Sequence, residues 1–252
     1  MDVKTTFLHG DLEEEIFMKQ PEGYAVKGKK ELVCKLKKSL YGLKQSPRMW
    51  YQKFDTYMLG LGFKRSKEDH CVYSKLIGDH LIYLVLYVDD MLLIGNNKEL
   101  IQDVKTQLSS KFDMKDLGAS NFILGMEIKR DRKRRKLWLN QRKYVETILQ
   151  RFNMQECKPV KVPILVVGVK LYVDQCPKTH EEEEDMSHVP YVSFVGSLMY
   201  EMVCTRLDIA HAVGFLSRYI SKPGKEHWTI VKKNFKYLCG IASYRLCYKG
   251  RS

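Results

Sequence analysis

Two carboxylates stand side by side between two apolar runs. HLIYLVLYV ends at Val88, Asp89 and Asp90 follow, and MLLIGNN starts at Met91. The run Leu81 to Val88 is far short of the roughly 20 apolar residues that a membrane helix needs. Bounded by Gly78-Asp79 on one side and the acids on the other, it predicts a buried strand. Strands on both sides of an Asp pair predict a β-hairpin with the acids at its tip. Such a hairpin cannot stand alone, because its apolar face must be covered by other elements.

The flanking sequence offers that cover. Trp50, Phe54, Tyr57 and Leu61 recur at helical spacing behind Ser46, a candidate N-cap, and Pro47, which suits the first helical position. Gly60 and Gly62 end that stretch. Lys98 to Lys111 reads as a second helix, with Ile101, Val104 and Leu108 inward. HCVYSKL, ahead of the Gly78-Asp79 turn, predicts a strand paired to the central run, and ELVCKL predicts another. Val3, Phe7 and Leu8 suggest a first strand that bends at Gly10. Further on, FILGMEI and LWLNQ predict a hairpin whose tip is the charged run KRDRKRRK, Lys129 to Lys136. A helix marked by Tyr144, Ile148 and Phe152 follows, then a loop-rich stretch from Pro159 to Pro190 with an acidic run at Glu181 to Asp185. Helices are expected over Tyr191–Cys204 and Asp208–Ile220, and a last one carries Trp228, Val231, Phe235 and Leu238 on one stripe. Together these predict the α+β class, a small antiparallel sheet with helices on one face, and a mostly helical second half beyond a boundary near residue 130.

Charge bears on partners. The 252 residues hold 43 Lys and Arg against 30 Asp and Glu, a net charge of +13. Nine of the bases fall between Lys27 and Lys53, where Glu31 is the single acid. Such an excess favours a polyanion, nucleic acid or an anionic membrane surface, although a soluble basic protein needs no such partner. The seven cysteines are odd in number and show no C-x-x-C spacing, so neither a disulfide framework nor a zinc site is indicated. With no leader-like segment after Met1, an intracellular location, cytoplasmic or nuclear, is expected. Cys176, His180 and His188 are near neighbours but match no metal-ligand spacing.

Aspartate is an ordinary turn residue, so a hairpin tip alone accounts for Asp89-Asp90. The alternative is chemical. Carboxylates held at one edge of a sheet can bind Mg²⁺, an ion that prefers oxygen ligands and leaves positions for substrate phosphates. Two such ions activate an attacking hydroxyl and stabilise a leaving phosphate. A third carboxylate is usually needed, and Asp2 in DVKTTF is the candidate.

Several segments go further. YVDD at Tyr87 to Asp90 resembles the signature of reverse transcriptases. DVKTTFLHGDLEEEIFMKQPEGY from Asp2 and KLKKSLYGLKQSPRMWY from Lys35 are similar to the first and second conserved motifs of the copia-type retrotransposon enzymes. FILGMEI resembles their primer grip, and VPYVSFVGSLMYEMVCTRLDIAHAVG resembles their helical link toward RNase H. The resemblance runs over essentially the whole chain.

It implies a polymerase palm over 1–130 without its fingers, and a thumb and connection region over 131–252 that leads toward an RNase H domain. It implies RNA-directed DNA synthesis from deoxynucleoside triphosphates on an RNA or DNA template-primer, with two Mg²⁺ ions or Mn²⁺ in their place, and no membrane. Asp2, Asp89 and Asp90 match the catalytic, metal-holding carboxylates, Asp90 being the less direct ligand. Phe7 matches the aromatic under the incoming sugar that excludes a 2′-hydroxyl, and Val3, Gly42, Lys44 and Gln45 match the nucleotide cleft. Tyr87, Leu124, Gly125 and Met126 match primer and template contacts. Each has a plainer account: core for Phe7, a loop before a capped helix for Gly42 to Ser46, a bulged hairpin strand for Leu124 to Met126, and a solvated tip for KRDRKRRK.

The chain also departs from the family pattern. Glu201 stands where a small apolar residue is usual, and a buried acid there is costly. Asp2 sits one residue from the start of the chain, so its strand is expected to fray. With the fingers absent, weak or no polymerase activity is expected of this chain alone. A non-catalytic nucleic-acid-binding remnant is the second reading. A nucleotide cyclase, which also pairs carboxylates on a small sheet, is the third, and LYGLKQSP together with the primer-grip segment argues against it.

Overall fold

The computed structural model describes residues 1–163 and 171–250. Residues 1–119 and 120–252 form two compact units, each with its own core. A boundary at 130 falls inside the strand Met126–Asp131, so the hairpin to which that strand belongs lies wholly in the second unit.

The first unit is built on a six-stranded antiparallel sheet. Its order is Lys64–Arg65, Val72–Ile77, His80–Tyr87, Asp90–Gly95, Asp2–Val3 and Met114–Lys115. The central strand shows why one face is covered. Ile82, Leu84 and Leu86 point into the core, and Leu81, Tyr83 and Tyr87 are exposed on the other side. The helices Ser46–Gly60 and Lys98–Lys111 bury Trp50, Phe54, Met58, Val104 and Leu108 in that same core. Asn97 caps the second helix, its side chain accepting from the amides of Glu99 at 2.9 Å and Leu100 at 3.1 Å.

Two local expectations are corrected. Phe7 and Leu8 do not continue the first strand. The strand stops at Val3, Thr5 takes a left-handed φ of 49°, and Thr6–His9 closes as a 3₁₀ turn. The Thr6 hydroxyl donates to Val3 O at 2.9 Å, bonding locally where a ladder would otherwise continue. Ser46 is the first residue of its helix, not the cap. Its buried hydroxyl donates to Leu40 O at 2.6 Å, and Gln45 holds the cap position.

The second unit has a four-stranded antiparallel sheet, ordered Leu246–Lys249, Lys136–Asn140, Met126–Asp131 and Phe122–Ile123. Its core gathers Val145, Ile148 and Leu149 from Arg142–Arg151, Phe194, Val195 and Leu198 from Tyr191–Cys204, and Val231, Phe235 and Leu238 from Lys225–Ile241. Phe152 stacks on Phe194 with ring centroids 3.5 Å apart. The expected helix over Asp208–Ile220 is broken into Leu207–Ile209, Ala210–Leu216 and Ser217–Tyr219, of which only the middle piece is α-helical. The acidic run is not loop. It forms the helix His180–Ser187, because Thr179 and Glu182 make a reciprocal capping box and acids suit a helix N-terminus. Lys222 and Lys225 pair with Glu183 and Asp185 at 2.6 and 2.8 Å. Residues 164–170 of the expected loop lie outside the described residues. Among the described residues there are seven α-helices, and no helix is long and apolar enough to cross a membrane.

Candidate active site

The hairpin His80–Tyr87/Asp90–Gly95 closes with Tyr87 opposite Asp90, which leaves Val88 and Asp89 as its two turn residues. Val88 sits at φ 56°, in the left-handed region that a β-branched residue strongly disfavours. A specific bond holds it there. Trp50, 2% exposed in the core, donates its indole Nε1–H to Val88 O at 2.8 Å. The helix that covers the sheet thus also fixes the acidic turn.

Asp2 reaches the same place from the start of the chain. In the antiparallel pairing Asp2 lies directly opposite Asp90, so the two side chains leave the sheet on the same side. One step away, Val3 N–H donates to Asp89 O at 2.9 Å. Met91 N–H donates to Met1 O, and the Met1 amino group to Met91 O, both at 2.8 Å. On its other side the segment pairs with Met114–Lys115. The expectation of a frayed strand is therefore corrected: Asp2–Val3 is an interior strand with partners on both edges.

Three like charges meet at this end of the sheet. Partial burial pushes the Asp90 carboxyl above the usual carboxylate range, and the charges of Asp89 and Asp2 add to the rise. This set of hard oxygen donors fits a divalent cation such as Mg²⁺, whose charge would relieve the repulsion. The side chains themselves stay apart. Among the described residues, no three His, Cys, Asp or Glu side chains gather into a group able to hold a metal ion. The backbones of Asp2 and of the Asp89-Asp90 turn are adjacent, while their carboxylates form no such group.

The other predicted residues are placed as follows. Phe7 lies half-buried in the 3₁₀ turn, its ring 4.8 Å from that of Tyr41. Val3 is a core residue, 2% exposed, so only its backbone can face a ligand. Gly42 takes φ 91° with open space around it, so its backbone conformation is what calls for glycine there. Lys44 is exposed, and Gln45 donates to Glu14 at 3.4 Å. Tyr87 is exposed on the uncovered face of the sheet.

Leu124, Gly125 and Met126 belong to the second unit. There FILGMEI folds back on itself: Ile123 faces Met126, and Leu124 and Gly125, at φ 47° and 73°, form a type I′ turn. This replaces the expected bulge. The Tyr200 hydroxyl donates to Leu124 O, and a Cβ on Gly125 would meet that hydroxyl at 3.1 Å.

Sequence reasoning missed Trp50 as a support of the acidic turn. Its apolar spacing marked it as core, and nothing in a sequence shows that an indole N–H meets a carbonyl 38 residues away. Trp50→Phe keeps an aromatic ring in the core and removes that bond. The expected result is a loss of about 1 kcal/mol in denaturant unfolding. Amide exchange at Val3 and Met91 should quicken as the turn loosens. Unchanged exchange at both amides would mean that the turn does not need the bond.

The sequence model of the family described as reverse transcriptase (RNA-dependent DNA polymerase) matches residues 1–166. The chain is 57% identical over 251 residues to the retrovirus-related Pol polyprotein from transposon TNT 1-94 of Nicotiana tabacum, covering 99% of this chain and 19% of the relative. It is 36% identical over 249 residues to the Pol polyprotein from transposon RE2 of Arabidopsis thaliana, covering 99% and 16%. A putative transposon Ty5-1 protein of Saccharomyces cerevisiae is 30% identical over 252 residues, covering 100% of this chain and 79% of the relative. The chain thus spans less than a fifth of the two plant polyproteins. No solved structure matches it.

Proposed function

The chain belongs to the reverse transcriptase family, in the form carried by copia-type retrotransposon Pol polyproteins, and on that premise we propose that its first unit is the palm in which a primer is extended along an RNA or DNA template. The observation that carries this reading is the convergence of Asp2 and the Asp89-Asp90 turn at one end of a single sheet. Asp2 and Asp89 would hold Mg²⁺, with Asp90 behind them. The bound ions would lower the charge barrier to attack of the primer 3′-hydroxyl on the α-phosphate of a deoxynucleoside triphosphate. The protein's own share is position. Trp50 fixes the turn, the paired strand Asp2–Val3 sets the distance between the acids, and the excess of positive charge attracts the phosphate backbone without regard to sequence.

The second unit supplies a primer grip in the turn Leu124-Gly125, supported by Tyr200, and then the thumb and connection. Phe7 sits under the sugar of the incoming nucleotide. Phe7→Val removes the ring, and ribonucleotide use relative to deoxyribonucleotide use should rise about ten- to a hundredfold. Equal discrimination by the two proteins would assign Phe7 to packing against Tyr41 alone.

The experiment is Mg²⁺-dependent primer extension on an RNA template. The chain is tested alone and joined to the upstream segment of the tobacco relative, each beside Asp89→Asn. Extension that Asp89→Asn abolishes supports the reading. Salt-sensitive template binding that survives the substitution, with no extension from either protein, supports a non-catalytic binding remnant instead.

A further inference from the structure

Cys157 and Cys239 are 82 positions apart in the chain, and the second unit brings the Cys239 thiol against the backbone of Cys157. Cys157 sits in the turn after the helix Arg142–Arg151, its N–H donating to Met154 O at 3.2 Å. Cys239 lies on the last helix, Lys225–Ile241. Its thiol donates to two carbonyls of that turn, Cys157 O at 3.7 Å and Gln155 O at 4.0 Å. Cys239 is also one of the neighbours that raise the Cys157 thiol. The backbones touch on either side of the pair. Val160 N–H donates to Lys236 O at 3.4 Å, and a Cβ on Gly240 would stand 3.0 Å from Pro159 Cβ. Both cysteines are half-buried, open enough for a small oxidant.

The geometry points to Cys157 and Cys239 as a thiol pair that a peroxide closes to a disulfide, clamping residues 155–160 onto the last helix. One thiolate attacks a peroxide oxygen, breaking the O–O bond and giving a sulfenic acid and a hydroxide, which takes up the proton that the thiol had released and becomes water. The second thiolate displaces hydroxide from that sulfur, forming the S–S bond, and the proton of the second thiol makes it a second water. Overall two thiols and one hydrogen peroxide yield a disulfide and two waters, the sulfurs being oxidised and the peroxide reduced. With the Cys239 thiol already against the Cys157 carbonyl and the two backbones touching at Val160 and Gly240, rotation of the side chains is the main movement needed to reach the S–S distance of about 2 Å.

The surroundings set the rate. Burial, with the neighbouring Cys239, pushes the Cys157 thiol up to about 11. The thiolate is the reacting form, so closure is slow near neutrality and quickens as pH rises. The bond would close a long loop, and the oxidised chain should melt about 5–10 °C higher than the reduced one.

The test uses the full chain with its native sequence. Hydrogen peroxide is added at pH 7 and at pH 9, remaining thiols are alkylated, and unreduced peptides are mapped by mass spectrometry. The expected result is a linked peptide joining Cys157 to Cys239, lighter by two hydrogens, formed faster at pH 9, with Cys34, Cys71, Cys176, Cys204 and Cys247 recovered alkylated. The melting temperature should rise with the link and fall back with dithiothreitol. Cys157→Ser and Cys239→Ser should each abolish both changes. The inference is overturned if the two cysteines are recovered as separate sulfinic acids, if they link to other cysteines, or if the product is a covalent dimer. The mapping is made on the unsubstituted chain, so a variant that misfolds does not weaken it.

Discussion

Replacing Asp89 with Asn in a chain competent for primer extension should lower the rate about a hundred- to a thousandfold, the usual cost of removing one preorganised charged group from a reaction centre. The substitution keeps size and turn propensity and removes only the negative charge. The fold should survive it, because the contact that Asp89 makes to the neighbouring strand is through its carbonyl, which accepts from Val3 N–H at 2.9 Å. A second effect is independent of activity. The charge of Asp89 is one of the causes that hold the Asp90 carboxyl above its ordinary range, so Asp89→Asn should lower the Asp90 pKa in an NMR titration. Lost extension together with a lowered Asp90 pKa is the expected pair of results. Lost extension with an unchanged titration would mean that the substitution had displaced the turn, and preserved extension would remove Asp89 from the reaction.

The largest effect on stability should come from Glu201. Its side chain is fully buried within the helix Tyr191–Cys204, and among the described residues neither carboxylate oxygen has a hydrogen-bond partner. Arg206 is the positive charge that acts on it, but its guanidinium is already held by both oxygens of Asp208, at 2.9 and 2.5 Å. Asp208 is also bound by the Tyr237 hydroxyl at 2.7 Å. Burial therefore dominates and pushes the Glu201 carboxyl up to about 8, with Arg206 opposing the rise and Asp208 adding to it.

The sign follows from proton binding. Between the ordinary value of 4.5 and about 8 the folded chain keeps a proton that the unfolded chain has released. Stability is fully present below the lower value and is lost as pH rises through the upper one. The loss is of the order of several kcal/mol, a large fraction of what a domain has. Glu201→Met fills a similar volume without the charge. It should stabilise the chain by about 1–3 kcal/mol at pH 5, by sparing the unsatisfied oxygens, and by several kcal/mol more at pH 9. Tyr144, Tyr200 and Cys204 lie close by and also titrate at raised values, so the difference between the two proteins' denaturation curves, not either curve alone, isolates Glu201. Curves that run parallel from pH 5 to pH 9 would show that Glu201 finds a partner or reaches water.

Elements whose pattern is local were legible along the chain. The strand His80–Tyr87 was readable as an apolar run bounded by turn residues, and the helix Lys98–Lys111 from the spacing of Ile101, Val104 and Leu108. The paired acids, flanked by apolar strands, had no place but a hairpin tip. Much of the family reading was legible for the same reason, since contiguous motifs carry it. Where a local signal misled, a short-range bond had overridden it: Thr6 to Val3 O ended the first strand, and Ser46 turned back to Leu40 O instead of capping. The helix His180–Ser187 was readable from Thr179 and Glu182, but its acids resemble a solvated loop until the lysines that pair with them are in place.

Which distant groups meet was settled by packing across the chain. It set Asp2 opposite Asp90, aimed the Trp50 indole at Val88 O, and added Leu246–Lys249 as an edge strand beside Lys136–Asn140. It left Glu201 without a partner among the described residues and put the Cys239 thiol against the Cys157 carbonyl. Periodicity along a chain shows which face of a segment turns inward, because that is a property of successive residues. It does not show which atom that face will find, because the partner comes from another part of the chain and is chosen by the packing of the whole unit.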